Sequence, residues 1–494
     1  MKLDLSSNKK TSSLMLTKKH IRSWSSMESI ITDIVKIIKS ENNVIAREKA
    51  LMCYFFDLIR ELMTAALEEV DAGLVEETKK QGYQIEKKNK RSVVTAFGEI
   101  SYWRRRYVCP GKKAQYPLDK LMGYDKYKRY SVLAVKDVLQ VSAVATYRNT
   151  ALAVNTLSCF KISHSQVGKL IVQAGKQIKA QQQSEERYDG ITQKKKAPVL
   201  YLEGDGVVIK GTKKRLEFHR YQVCEDIINL SKTRRKRVQA KEFVSLSRLD
   251  ALQEIKAYLA NAYDLSDTLI ISNADGGAGY AKKDFDEIVG YCRQHEHFLD
   301  VFHLNKKIKD RLGFMPAMQS KLISAVEFKY DRHLTDVILD TIESNLVDEL
   351  NTPENHENLR RLRSYLHRRW VDIKPFKMRH LSVIKAIGCC ESNHRKYTYR
   401  VKGQGKYWSE NSAEGILRVL TCIKNNELEY WLSSEFAGGQ LDIGDQEELK
   451  GAVRANLRKT HEAHLGIHHG AIESLTAGHS YLDDFGRKIK QINI

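Results

Sequence analysis

Proline is scarce, with 6 in 494 residues, which excludes long Pro-rich linkers. Cysteine is sparse and scattered. The eight residues Cys53, Cys109, Cys159, Cys224, Cys292, Cys389, Cys390 and Cys422 form no CxxC, and no Cys/His set has zinc-finger spacing. The adjacent pair Cys389 and Cys390 is poorly placed for a disulfide. The thiols therefore read as reduced, as expected of a cytoplasmic protein. No apolar run approaches the roughly 18 residues needed to span a bilayer, and the polar stretch Met1–Lys19 lacks the apolar segment of a secretion signal. No serine or cysteine stands in a recognisable triad setting, so covalent catalysis has no candidate nucleophile.

What the chain has is positive charge. Lys and Arg total 82 against 61 Asp and Glu, a formal net charge of +21. Such a surplus attracts polyanions, and counterion release on contact with DNA phosphates supplies much of non-specific affinity. Hydrophobic residues make up 42% of the chain, enough for more than one core, and the length predicts two to four domains.

From about Ser26 to Gln81 apolar residues recur at helical spacing: Ile30, Ile34 and Ile37, then Leu51, Phe55, Leu58 and Leu62. Glu68, Glu69, Glu76 and Glu77 make this block a packing element rather than a DNA grip. The period changes to that of strands over Arg91–Tyr107, with Gly98 at a turn. This hairpin carries Arg104, Arg105 and Arg106 between Trp103 and Tyr107, a basic and aromatic pattern suited to a phosphate backbone. Residues 130–182 read as helical. Two short helices, Val144–Val154 and Ser163–Ala174, resemble a helix-turn-helix with Ser163 as N-cap. His164, Gln166 and Lys169 would face the groove, although ordinary helical hairpins share the pattern. A polar linker over 183–197 ends in Lys194, Lys195 and Lys196.

Chemistry begins after the linker. Strand formers surround Glu203-Gly204-Asp205-Gly206, a second strand follows at Arg215–Cys224, and Arg234, Arg235, Lys236 and Arg237 form a basic loop. The apolar run Leu269-Ile270-Ile271 leads to Asp275 and two glycines. A further strand tip carries Asp300 and His303. A lone Asp-Gly is most often a turn. Two of them, each following a strand in one α/β domain, point to strand tips where such sheets bind ligands. Carboxylates gathered there repel one another unless a cation neutralises them. Two magnesium ions, with manganese as substitute, fit hard oxygen donors and substrate phosphates. Residues 304–380 read as a charged helical insertion, after which Glu391 and Glu414 compete as third acid. Asn393, His394, Arg395 and Arg400 surround Glu391, whereas Glu414 opens an amphipathic helix, where a glutamate often only complements the helix dipole.

From about Arg91 to Leu420 the chain resembles the ISLre-type transposases of bacterial insertion sequences, relatives of the Mutator-like DDE group. The series runs through the hairpin at Phe97–Tyr107, Tyr147-Arg148, the SHSQV segment, Asp205, Asp275, the D-x-F-H element at Asp300–His303, and Gly388 through Glu391 to Trp408-Ser409. Glu391 is followed by Ser392 and Asn393, where the family usually reads Gly-His. The resemblance implies an α/β RNase H-like catalytic domain with an α-helical insertion, preceded by mostly helical DNA-binding regions. It implies Asp205, Asp275 and Glu391 as catalytic and metal-binding triad, with Asp300, His303 and Arg400 in support. The expected order is a tail and helical domain over 1–85, a hairpin and helix-turn-helix-like domain over 86–185, catalytic core over 197–303 and 386–440, the insertion over 304–385, and a tail over 441–494. The implied partners are inverted-repeat and target DNA, with a homo-oligomer in the synaptic complex. A DNA-binding derivative without catalysis, or a nuclease that only hydrolyses, would share most of these features.

Overall fold

A computed structural model of the chain describes residues 27–124, 128–185, 194–231, 235–277, 279–381 and 390–433. Residues 1–26 and the expected tail at 441–494 lie outside them. The described residues form two compact units, one of residues up to Val135 plus Ala151–Ile162, the other of Lys136–Thr150 plus residues from Ser163 onward. Among them, no helix is long and apolar enough to cross a membrane.

In the first unit, α1 (Met27–Ser40) precedes the 37-residue α2 (Val44–Lys80), whose Asn43 N-cap accepts from the Ala46 amide. The expected hairpin is present and longer than its motif: β1 (Gln84–Thr95) pairs antiparallel with β2 (Gly98–Cys109), and β3 (Lys112–Gln115) adds to β2. Alternation buries Val93, Ile100 and Tyr102 against Leu67 of α2 and Leu118 of α3 (Pro117–Leu121). The α2 carboxylates serve the sheet: Glu68 accepts from the Trp103 amide at 2.8 Å and Asp71 from the Arg105 amide at 3.0 Å.

Three helices follow: α4 (Val132–Val144), α5 (Tyr147–Leu157) and α6 (His164–Glu185). The break therefore falls at 145–146, after the expected start of a helix at Val144, and α6 runs beyond Ala174. Ser163 caps α6 as expected, its hydroxyl accepting from the Gln166 amide at 3.2 Å.

The second unit is built on a five-stranded mixed sheet of order β12-β11-β5-β6-β9. Its strands are β5 (Val199–Lys210), β6 (Arg215–Cys224), β9 (Lys241–Ser245), β11 (Leu269–Ala274) and β12 (Gln294–Leu299). β5, β6 and β9 form an antiparallel meander, while β11 and β12 join β5 in parallel. A two-residue pairing of β4 (Lys195–Lys196) with β10 (Tyr263–Asp264) flanks it. The stretch read as a basic loop is a hairpin of β7 (Asp226–Asn229) and β8 (Arg235–Val238).

One sheet face packs against α7 (Arg248–Ala262) and α8 (Lys282–Val289) through Leu200, Leu202, Tyr221, Ile255, Leu259 and Phe285. The other meets α13 (Cys390–Val401) and α14 (Glu410–Lys424), with α15 (Leu428–Ser433) beyond. α6 lies on α14 at very close range. A Cβ at Gly175 would stand 2.5 Å from the Gly415 Cα, so only glycine permits this approach. Under α13 and α14 lies a buried polar network. Arg220, wholly buried, pairs with Glu242 at 3.1 Å, Arg237 reaches Glu242 at 2.6 Å, and the Tyr397 hydroxyl donates to it at 2.9 Å. Burial alone would raise the Glu242 carboxyl, but the two guanidiniums hold it well below the usual carboxylate range. Between β12 and α13 the chain forms α9 (Val301–Arg311), α10 (Pro316–Ile323), α11 (Arg332–Ser344) and α12 (Pro353–Ile373), with their own core of Leu304, Ile308, Leu339, Leu362, Leu366 and Trp370.

His295 and His297 stand two residues apart on β12 and so share a face. Both meet the Ser272 hydroxyl, at 2.7 and 2.8 Å, and His295 also meets Asp286 at 2.6 Å. Both rings are thus held in hydrogen bonds within the sheet and to α8. Burial lowers both rings, His297 to about 3.

Gly175→Val should cost roughly 1–3 kcal/mol or more, read as a lower urea midpoint with circular dichroism; an unchanged midpoint would contradict the close helix contact. A histidine whose folded pKa is depressed binds its proton first in the unfolded chain. Its contribution is therefore complete above about pH 6.5 and declines as pH falls toward the folded value. Lowering pH from 7 to 5 should lower the native midpoint more steeply than that of His297→Asn, by up to about 1.4 kcal/mol per pH unit. Parallel pH profiles would rule out a buried neutral His297.

Candidate carboxylate site

The site follows from strand register. β11 pairs with β5 so that Ala274 faces Gly204, and β12 pairs with β11 so that Leu299 faces Ala274. The next position on each chain is an acid: Asp205, Asp275 and Asp300. Neighbouring strands lie about 4.8 Å apart, so the three begin as a row across the sheet. Alternation directs them to one face. Tyr201, Leu269, Ile271 and Phe298 share a core beneath that face, and the acids follow at even spacing from them.

Each carboxylate is held. Asp205 accepts from the Gly206 amide at 2.7 Å through Oδ1, and its Oδ2 lies 2.7 Å from His394 Nε2 on α13. Asp275 Oδ1 accepts from the Gly277 amide at 2.8 Å. Between them Gly276 has φ +71°, and a Cβ there would strike Leu299 and crowd the Arg369 guanidinium. Arg369 Nη2 donates to the Gly276 carbonyl at 2.5 Å and so pins the loop that carries Asp275. Asp300 caps α9, accepting from the His303 amide at 3.0 Å, with His303 Nδ1 at 3.1 Å. Hydrogen bonding to Asp300 raises the His303 ring above its ordinary value, and the fields of Asp205 and Asp275 add to this against the opposing effect of burial. Burial alone would raise Asp300, but its bonds to His303 hold it below the usual range.

Glu391 lies on α13 one turn before His394, the residue that meets Asp205. The Glu391 side chain is outside the described residues. Its competitor Glu414 is occupied in structure: it accepts from the Leu246 amide at 2.8 Å, the Ser245 hydroxyl at 3.1 Å and Arg418 at 2.9 Å. Among the described residues, no three His, Cys, Asp or Glu side chains are gathered as a metal ion would require. The donors in the row are nonetheless hard oxygens of the type magnesium takes.

Several expected contacts fall elsewhere. Arg400 was expected to position phosphates. It is buried instead, donating to the Ser142 carbonyl at 2.6 Å between the rings of Tyr147 and Trp408. The hairpin arginines are neutralised in place. Arg104 pairs with Asp119 at 2.9 Å over the Tyr116 ring, Arg105 with Asp71 at 2.6 Å, and Arg106 with Glu86. The exposed cations on that hairpin are Lys87, Lys88 and Lys90, with Trp103 exposed across from Lys90, and the basic run before Arg91 carried that signal. Arg237 turns inward to Glu242, Lys236 is exposed, and Arg234 and the Arg235 side chain lie outside the described residues. On α6, His164 and Lys169 are exposed and Gln166 is half-buried, while the opposite face packs on α14.

A protein from Streptococcus gallolyticus, named "UPF0236 protein in vanSb 3'region", is 32% identical over 88% of this chain and 95% of its own length. A UPF0236 protein of Caldanaerobacter subterraneus subsp. tengcongensis, whose name joins eleven numbered designations, is 22% identical over 88% of this chain and 90% of its own length. Among solved structures, the Drosophila P element transposase strand transfer complex aligns with 69% of this chain and 94% of its own, at 11% identity and a TM-score of 0.20, too slight a likeness to carry an argument. The profile of an uncharacterised protein family, UPF0236, matches residues 43–430, and with that share of its length the chain belongs to that family.

Proposed function

We propose that the chain is the DNA transposase of an insertion sequence, cutting DNA and transferring its 3′ ends with divalent cations at Asp205, Asp275 and Glu391. The observation that carries the reading is the single row of Asp205, Asp275 and Asp300 across three parallel strands, with α13 brought to it by the His394–Asp205 contact. The antiparallel meander followed by two parallel strands fits an RNase H-like core, and the helices α9–α12 fit its insertion. The net charge of +21 suits a DNA partner. The relative with eleven designations in one organism fits a gene that multiplies within a genome.

Bound magnesium would supply activation of a water or 3′-hydroxyl and stabilisation of the leaving oxygen. The residues of the chain do the positioning. His394 and the Gly206 amide orient Asp205, and the Gly277 amide orients Asp275. Arg369 keeps the Asp275 loop from shifting. His303, bonded to Asp300, stands next to the row. Chemistry of this kind depends on fixed placement and charge neutralisation rather than on a covalent enzyme intermediate.

The test uses DNA bearing the ends of the element, with magnesium. Native protein should yield nicked and joined products. Asp205→Ala and Asp275→Ala should bind the same DNA yet cut it about 10²–10³-fold more slowly. Nicking without joining would move the assignment to a hydrolytic nuclease. Equal cutting by native and variant proteins would remove these acids from the chemistry.

A further inference from the structure

Two antiparallel helices beside the acid row carry an unusual density of cations. On α9, His303, Lys307 and Arg311 follow Asp300 at one-turn intervals and share a helix face. On α12, Tyr365, Arg368 and Arg369 lie alongside. The partners run in opposite senses. Lys307 Nζ stands 4.2 Å from the centre of the Tyr365 ring, Arg311 bonds Asn358 at 2.6 Å, and Arg369 reaches the Gly276 carbonyl next to Asp275.

Side-chain roles differ along this track. Arg369 is partly matched by Asp372 at 3.5 Å, and Arg311 is held by a neutral amide. Lys307 rests on the Tyr365 ring, and Arg368 on its own helix carbonyl at Ser364. Both Lys307 and Arg368 are exposed, and neither has a carboxylate within ion-pair distance among the described residues. Partial burial lowers the Lys307 ammonium; Asp275 counteracts this, and Arg311, Arg369 and Arg368 reinforce it. Cations held this close together repel one another, and an anion set among them relieves the strain.

We propose that Lys307 and Arg368 form a phosphate-backbone track that seats a nucleic-acid strand beside the Asp205–Asp275 row. This rests on the transposase reading and deepens it by naming where the strand leaves the acids. Phosphate contacts position a strand without reading its sequence. Binding through the track therefore needs neither a cation nor the inverted repeats.

The measurement is fluorescence anisotropy of a duplex of arbitrary sequence with the full chain in EDTA, across a series of salt concentrations. Lys307→Gln/Arg368→Gln should bind about tenfold more weakly at 0.1 M salt, with a salt slope shallower by about 2. Lys307→Arg/Arg368→Lys should keep the native slope, which separates lost charge from lost packing. Lys256→Ala, on α7, should bind like the native protein. Unchanged affinity and slope in the Gln variant, or an equal loss in the charge-conserving variant, would overturn the track. Tighter binding of polyglutamate than of DNA would assign the cations to an acidic protein and overturn it as well. A track that binds while the native protein cuts no DNA would stand, and the catalytic reading alone would fall.

Discussion

Parallel pairing in register is the constraint on which the second unit depends. β5, β11 and β12 are joined so that one step past the Gly204–Ala274–Leu299 row each chain presents an aspartate. A shift of one residue in β11 would turn Asp275 to the opposite face, away from Asp205. The register is protected from both sides. Leu200, Leu202 and Ile270 are buried toward α7 and α8, and Tyr201, Leu269 and Ile271 toward the other face. Slippage would expose both sets at once.

The charged groups under α13 and α14 serve the same end. Glu242 ties Arg220 of β6 to Arg237 of β8 and receives the Tyr397 hydroxyl from α13. One helical turn earlier on α13, His394 meets Asp205. The buried ion pair therefore sets the height of α13 over the sheet, and with it the position of residue 391. Removing one partner of such a pair is costly, about 3–5 kcal/mol, because it strands the other charge. The network thus couples the stability of the unit to the geometry of the acid row.

Much of this was legible in the sequence. Strand formers around Asp-Gly marked Asp205 within a strand and Asp275 at a strand tip, and Ser163 marked the start of α6. What stayed hidden was partner choice. Arg104, Arg105 and Arg106 look like phosphate contacts in a linear reading, yet Asp119, Asp71 and Glu86, distant in sequence or across the hairpin, neutralise them. Arg400 is similar. It was expected to support the triad around Glu391, but Tyr147 and Trp408 enclose it through tertiary packing. Conversely, Lys307 and Arg368 belong to helices that read only as a charged insertion. Only the antiparallel pairing of α9 with α12 gathers them near Asp275.

Asp205 and Asp275 are proposed to act as one cation site. Manganese binding to the full chain, followed by electron paramagnetic resonance of the free ion, probes this pairing without any DNA. Native protein should take up manganese, and Asp205→Asn and Asp275→Asn should each abolish the same uptake while leaving the melting transition in place. Undiminished uptake in both variants would contradict it.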